Sequence, residues 1–236
     1  FYLPKRKIFF MISISVKIIS VKITKEKHMT NFLSLLNEEN SAIILDIDKT
    51  ILEPKNIFIY KKINGKEVAL TPEQFAKEDV TAETKKYYDF RDFRDPEKVA
   101  ASIKTGLPIV SNLKIMDDYI SKGWKVGILT ARGEVVEDVI FRSLKKWLKY
   151  KDKKGKFQDI GDRLVRDIVA AVGDASEKKY PGTTAFEKKA NVIRKMSKQH
   201  DRLIFIDDDL KNIKAIKKML RKENIKNVFV RLTAGE

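Results

Sequence analysis

Short apolar stretches alternate with amphipathic stretches along the chain. Five stretches of mostly apolar, often β-branched residues predict buried strands at 42–47, 124–130, 167–172, 203–207 and 227–232. Between them, apolar residues recur at helical spacing over 109–122, 134–149, 184–198 and 209–222. Because alternating strands and helices are typical of α/β proteins, the pattern predicts a Rossmann-like parallel sheet of about five strands with helices on both faces.

The segment between the first two predicted strands departs from this alternation. Residues 57–71 surround Asn64-Gly65, a dipeptide that favours a two-residue turn, and therefore predict a hairpin. Thr71 followed by Pro72 predicts the start of a short helix. We expect residues 51–108 to form a small cap-like insertion after strand one, lying over one end of the sheet.

A basic, apolar extension precedes Met29. Residues 1–28 carry seven Lys or Arg and one Glu. They begin like a secretory signal, but Lys17 and Lys22 interrupt the apolar run and no small-residue cleavage site follows. The run is also shorter than the roughly 20 residues that a membrane-spanning helix needs. We expect this extension to lie outside the fold, residues 29–236 to form the domain, and the protein to be cytoplasmic without membrane association; a membrane anchor is the less favoured alternative.

Composition excludes several kinds of site. The chain has no cysteine, which removes disulfides, zinc–thiolate sites and cysteine nucleophiles and suits a reducing compartment. His28 and His200 are the only histidines, so a histidine metal cluster or a serine–histidine triad is nearly excluded. No GxxxxGK[ST] loop is present, so a P-loop kinase activity is not encoded.

The chain is strongly basic even without the extension. Residues 29–236 contain 42 basic and 32 acidic residues, a net charge of +10. Such an excess favours anionic partners such as nucleotides, nucleic acid or phosphorylated metabolites. The alternative is that surface lysines only solvate the protein.

Carboxylates follow two of the predicted strands. Asp46 and Asp48 come at the end of the first, and Asp207 and Asp208 at the end of the fourth. Because ligands of a parallel sheet bind at the carboxyl ends of its strands, these groups should meet at one edge. Carboxylates gathered there repel one another unless a cation holds them, and oxygen ligands favour Mg²⁺. Turn formation or helix capping is the alternative for each aspartate alone.

Other polar residues are expected at the same edge. Thr130 ends the second strand, and Lys188 and Lys189 lie on the helix before the fourth. Either lysine could supply a fixed positive charge or belong to a solvated helix face. Arg132 is either a phosphate contact or a surface residue at the start of a helix.

Four motifs in this order resemble the haloacid dehalogenase-like (HAD) phosphatase superfamily. They are "DIDKT" (46–50), "ILTAR" (128–132), a lysine in "FEKK" (186–189) and "FIDDD" (205–209), within residues 41–232. Within the superfamily, "ILTARG" and the paired aspartates are similar to nucleotide or polynucleotide-end phosphatase domains of phage-type polynucleotide kinases. The resemblance implies a Mg²⁺-dependent phosphomonoester hydrolase.

The resemblance also implies roles for single residues. Asp46 would be the nucleophile that forms an aspartyl-phosphate, and Asp48 would protonate the leaving oxygen and then activate water. Mg²⁺ would be held by Asp46, the backbone carbonyl of Asp48, and Asp207, with help from Asp208.

Phosphate contacts would come from Thr130 and a lysine. Lys189 is preferred to Lys188, because Val192 and Ile193 place Lys189 on the core-facing side of its helix. Many family members carry Gly where Lys49 stands; a lysine fits if the backbone there does not need a positive φ.

The implied substrate is a nucleotide or a nucleic-acid 3′-phosphate end. Tyr87, Tyr88, Phe90 and Phe93 could stack a base, or could pack the insertion. A small-metabolite phosphatase and a non-catalytic HAD-like binding or structural module are the alternative functions.

Overall fold

The computed structural model describes residues 40–80, 83–151, 157–174 and 178–233. The expectations for the extension and for a domain start at Met29 therefore lie outside the described residues. The strands are β1 (Ser41–Leu45), β2 (Leu52–Glu53), β3 (Ile59–Ile63), β4 (Lys66–Leu70), β5 (Tyr88–Asp89), β6 (Leu107–Pro108), β7 (Lys125–Thr130), β8 (Lys149–Lys151), β9 (Phe157–Asp159), β10 (Leu164–Ala171), β11 (Arg202–Asp207) and β12 (Val228–Leu232). The α-helices are α1 (Pro72–Ala76), α2 (Pro96–Thr105), α3 (Val110–Ile120), α4 (Glu137–Trp147), α5 (Ala185–Ser197) and α6 (Leu210–Lys222).

A five-stranded parallel sheet forms the centre of the fold, in the order β10-β7-β1-β11-β12. Helices flank it, so the predicted Rossmann-like α/β fold is confirmed. The chain runs outward from β1 to β10 on one side and then returns to add β11 and β12 on the other. This reversal lies between β1 and β11, and such switch points open a crevice at the carboxyl ends of the strands.

Buried side chains on both faces explain why β1 occupies the centre. All five of its residues are buried. Ile43 and Leu45 join the core beneath α2, α3 and α4, whereas Ala42 and Ile44 join the core beneath α5 and α6. Each fully buried Ile or Leu contributes roughly 1.5–3 kcal/mol, so a continuous apolar run suits a strand that is covered on both faces.

The insertion is closed at its base by a short antiparallel pair, β2 with β6. Its hairpin pairs β3 with β4, and the turn residues Asn64 (φ 49°) and Gly65 (φ 78°) both have the positive φ that a two-residue turn requires. Thr71 caps α1 in a reciprocal arrangement with Gln74. The predicted hairpin and short helix are confirmed.

Several elements differ from the predicted pattern. α2 was not predicted, although Asp95 caps it and Pro96 is its first residue. The hairpin of β8 and β9 was not predicted either. The helix predicted from residue 134 begins as a 3₁₀ turn over Glu134–Val136, and β10 starts earlier than expected, at Leu164.

Candidate active site

The loop after β1 places two carboxylates at the centre of the sheet edge. The amide of Asp46 still donates to the carbonyl of Ile206 at 3.0 Å, and the chain then turns sharply around the carbonyl of Ile47. Within this turn Lys49 has a φ of 59°. A lysine was expected to fit at this position only if the backbone did not need a positive φ, and the structure does not meet that condition. Lys49 instead adopts a left-handed conformation that favours glycine.

Asp207 at the end of β11 is fully buried and accepts several hydrogen bonds. Its donors are the amide of Asp209 at 2.8 Å, Nδ2 of Asn212 at 2.9 and 3.1 Å, and Nζ of Lys189 at 2.8 Å. These bonds fix the carboxylate in one orientation. The neighbouring Asp208 accepts a hydrogen bond from Oγ1 of Thr50 at 3.2 Å, which links β11 to the loop after β1.

Asp46, Asp207 and Asp208 form a carboxylate cluster. One oxygen of each lies within 4.8 Å of the others. The ammonium of Lys189, which is only 1% exposed, lies 3.0 Å from Asp46 and 2.8 Å from Asp207. Burial disfavours a charged Lys189, but Asp46 and Asp207 outweigh that effect and raise its pKa, so it remains a cation.

One lysine does not balance the cluster. Burial raises the pKa of Asp46 well above its usual range; Lys189 opposes this rise, and Asp207 adds to it. Burial, followed by the charge of Asp207, raises the pKa of Asp208 to about 6. A divalent cation would supply the missing positive charge, and the three carboxylate oxygens lie close enough together to hold a metal ion.

Asp48 is held by a buried arginine. Nε and Nη2 of Arg132 lie 3.0 and 2.6 Å from the two oxygens of Asp48, and Nη1 donates to Oγ of Ser102 at 2.9 Å. Arg132 is fully buried, so the surface alternative for this residue is wrong. Its guanidinium also lies 6.0 Å from the ring centre of Phe93. Arg132 therefore sets the orientation of Asp48.

Thr130 and the two lysines occupy defined positions. Thr130 is buried at the end of β7, and its Oγ1 accepts a hydrogen bond from the amide of Arg132 at 3.3 Å. Lys189 is the lysine whose ammonium contacts Asp46 and Asp207, on the side of the helix that the sequence pattern indicates. Lys188 is buried too, about 100° around α5 from Lys189.

A cleft of about 480 Å³ opens from Asp48 between the insertion and the sheet edge. Its lining combines apolar side chains of the insertion with a few polar groups: Ile59, Pro72, Phe75, Phe90 and Phe93 on one hand, and Asp48, Lys85, Arg94, Arg132 and Asp174 on the other. Phe75 and Phe90 pack edge to face, with ring centres 5.3 Å apart. Both the volume and the apolar lining are typical of a small-molecule site.

The structure divides the four aromatic residues considered for base stacking. Phe90 and Phe93 line the cleft. The hydroxyl of Tyr88 instead donates to Glu78 at 2.7 Å, and Tyr87 is 47% exposed on the surface.

Three residues that sequence reasoning missed support the site. Asn212 holds Asp207, Ser102 holds Arg132, and Thr50 holds Asp208. Asn212 lies in the first turn of α6, only five residues after Asp207, and this spacing could have predicted the contact. Ser102 lies on a helix that was not predicted, so nothing in the sequence indicated its contact.

Comparisons with protein-family models, curated proteins and solved structures found no match to this chain. The resemblance to HAD phosphatases thus continues to depend on the four motifs. Within the described ranges, no helix has the combination of length and apolar character needed to cross a bilayer.

Proposed function

We propose that this protein is a Mg²⁺-dependent phosphomonoesterase that works through an aspartyl-phosphate and acts on a nucleotide or a nucleic-acid 3′-phosphate end. The observation that carries the proposal is the environment of Asp46. Among the described residues, only Oδ1 of this carboxylate accepts a side-chain hydrogen bond, from Lys189. The carboxylate is thereby oriented at the crevice of the sheet, beside Asp48 and the carboxylate cluster.

In the first step an oxygen of Asp46 attacks phosphorus and the bond from phosphorus to the leaving oxygen breaks. Asp48 donates a proton to that oxygen, which departs as an alcohol. Both oxygens of Asp48 accept hydrogen bonds from Arg132, so a protonated Asp48 has to release one of them. The N–H group of Arg132 that loses this oxygen would donate to a phosphoryl oxygen of the substrate. Arg132 therefore remains a phosphate contact in the proposed mechanism.

In the second step water attacks the phosphorus of the aspartyl-phosphate. Asp48 accepts the proton of the water, the bond between Asp46 and phosphorus breaks, and inorganic phosphate leaves. Lys189 stays beside Asp46 throughout and stabilises its carboxylate as it is released. Thr130 would offer its hydroxyl to a phosphoryl oxygen.

The residues present fit a divalent cation, because three carboxylates lie together and the buried cation Lys189 contacts only Asp46 and Asp207 among them. Asp46, Asp207, Asp208 and the backbone carbonyl of Asp48 would hold Mg²⁺. When bound, the ion neutralises charge that develops on the transferred phosphoryl group.

The cleft supports a nucleotide-like leaving group. Asp48 protonates the leaving oxygen, and the cleft opens at Asp48, so the nucleoside that carries this oxygen would lie there. Rings of Phe75, Phe90 and Phe93 offer a planar base stacking contacts that a sugar phosphate does not use.

The test is hydrolysis of p-nitrophenyl phosphate with Mg²⁺ and with excess chelator. We expect activity to require Mg²⁺ and Asp46→Asn to lose it almost completely. Asp48→Asn should slow turnover roughly 10²- to 10⁴-fold. Since p-nitrophenolate departs without a proton, Asp48→Asn should still form the aspartyl-phosphate and accumulate it, visible after acid quenching of a ³²P-labelled substrate.

Asp209→Asn is the matched control. Asp209 caps α6 through the amide of Lys211 at 2.7 Å, and asparagine caps equally well. Its activity should therefore equal that of the unmodified chain. Full activity in chelator, or in a folded Asp46→Asn variant, would contradict the proposal.

A further inference from the structure

One face of α6 is strongly basic. The helix carries six basic residues and no acidic residue: Lys211, Lys214, Lys217, Lys218, Arg221 and Lys222. All six are exposed, whereas its Asn212, Ile213, Ile216, Met219 and Leu220 are buried. At about 100° per residue, the six cations fall within an arc of roughly 140° on the side opposite the core.

This charge is not compensated nearby. In the part of the chain that the structure describes, none of the six forms an ion pair with a carboxylate, and Glu223 at the end of the helix pairs with Arg194. Like charges three or four residues apart destabilise a helix. A helix face whose only role is to keep the protein in solution would avoid this cost by carrying acidic residues among the basic ones.

The other long helices do mix signs. α2 carries Glu97 beside its lysines, and α4 begins with Glu137 and Asp138 and ends with Lys145 and Lys146. Among the described helices of ten or more residues, α6 alone has no acidic residue. α6 therefore contributes six of the ten net positive charges of residues 29–236.

The position of α6 relates this charge to the candidate active site. The helix starts at Leu210, directly after Asp207 and Asp208, and Asp209 is its cap. Its 13 residues extend about 20 Å, which is long enough to lie along several phosphates of one polynucleotide strand. A polyanion lying along the basic face would therefore reach the carboxylate cluster at the start of the helix.

We infer that the basic face of α6 binds the phosphate backbone of a single-stranded polynucleotide whose terminal phosphate enters the crevice. The inference depends on the proposed function for the fate of that phosphate, but the binding itself does not require turnover. The carboxylate cluster repels a terminal phosphate at long range, and six cations beside it reverse that field. An anionic membrane fits less well, because the apolar residues that would enter lipid are buried in the core.

The test measures binding of a fluorescent single-stranded oligonucleotide of about ten nucleotides without a terminal phosphate, by anisotropy, from about 50 to 200 mM KCl. The α6 variant combines Lys214→Gln, Lys218→Gln and Arg221→Gln. The control combines Lys98→Gln, Lys104→Gln and Lys146→Gln on α2 and α4, which cover the opposite face of the sheet. Both variants lose three exposed charges.

We expect the α6 variant to lower the slope of log Kd against log salt by about 2 and to weaken binding roughly 100-fold at 0.1 M salt. The control should stay within about twofold of the unmodified chain, and both variants should hydrolyse p-nitrophenyl phosphate normally. Equal losses in both variants, or no binding by the unmodified chain, would overturn the inference. Tighter α6-dependent binding to phosphatidylcholine–phosphatidylserine vesicles than to the oligonucleotide would also overturn it.

The two proposals fail separately in this design. If oligonucleotide binding depends on α6 but the protein has no Mg²⁺-dependent phosphatase activity, α6 is the polynucleotide-binding surface and the proposed function is wrong. If the protein has Mg²⁺-dependent phosphatase activity but does not bind the oligonucleotide through α6, the proposed function holds and the inference about α6 is wrong.

Discussion

Lys49 occupies a backbone conformation that costs an L-residue about 1–2 kcal/mol. The tight turn around the carbonyl of Ile47 imposes it. We expect Lys49→Gly to have a free energy of unfolding about 1 kcal/mol higher than Lys49→Ala, which removes the long side chain but keeps Cβ. Urea unfolding of the two variants measures the difference directly, and equal stabilities would show that the turn is not strained.

Ser102 is the second residue, after Asp48, that accepts a hydrogen bond from the Arg132 guanidinium. Ser102→Ala would leave one N–H of a fully buried cation unpaired, which costs about 1–3 kcal/mol. It should also loosen Asp48 and lower kcat more than it raises KM. Thermal unfolding and steady-state kinetics measure both effects.

Thr105→Ala provides the comparison for Ser102→Ala. Both hydroxyls donate to a backbone carbonyl of α2 at 2.9 Å, but Thr105 is exposed and does not hold Arg132. Its removal should change stability by less than about 0.5 kcal/mol and leave kcat unchanged. Similar losses in the two variants would assign the effect of Ser102 to the helix and not to Arg132.

At the level of elements, the insertion supplies the aromatic wall of the cleft. We expect Phe90→Ala to raise KM about tenfold for a nucleoside 3′-monophosphate, because a base loses a stacking partner worth about 1–3 kcal/mol. The KM for glycerol phosphate should not change. Steady-state kinetics on the two substrates test this difference.

Phe229→Ala is the control for the cleft, since Phe229 lies on β12 and is 63% exposed. It should leave both KM values unchanged. A Phe90→Ala variant that weakens both substrates equally would show that Phe90 acts through the folding of the insertion.

For the whole molecule, the central sheet was predictable because strands buried on both faces need continuous apolar residues. The convergence of Asp46, Asp48, Thr130 and Asp207 followed from the same step, since parallel strands present their carboxyl ends at one edge. Lys189 was predictable from the core-facing side of its helix. These inferences need only the spacing of apolar residues along the chain and the rule that parallel strands end at the same edge of a sheet.

Contacts between distant segments were not predictable in this way. The pairing of Arg132 with Asp48 joins two loops, and its support by Ser102 depends on how α2 packs against α4. The positive φ of Lys49 follows from the hydrogen bonds of the surrounding turn and not from its own residue type. The cleft likewise exists only once the insertion lies against the sheet.

The central position of β1 also has a consequence for biosynthesis. β1 comes first in the chain among the five strands, yet its neighbours begin at Lys125 and Arg202. On the ribosome one edge of this mostly apolar strand therefore stays unpaired until Arg202 and the rest of β11 have emerged, and exposed apolar edges invite aggregation. Because β11 also brings Asp207, the nascent chain pairs the second edge of β1 and assembles its carboxylate cluster in the same late event.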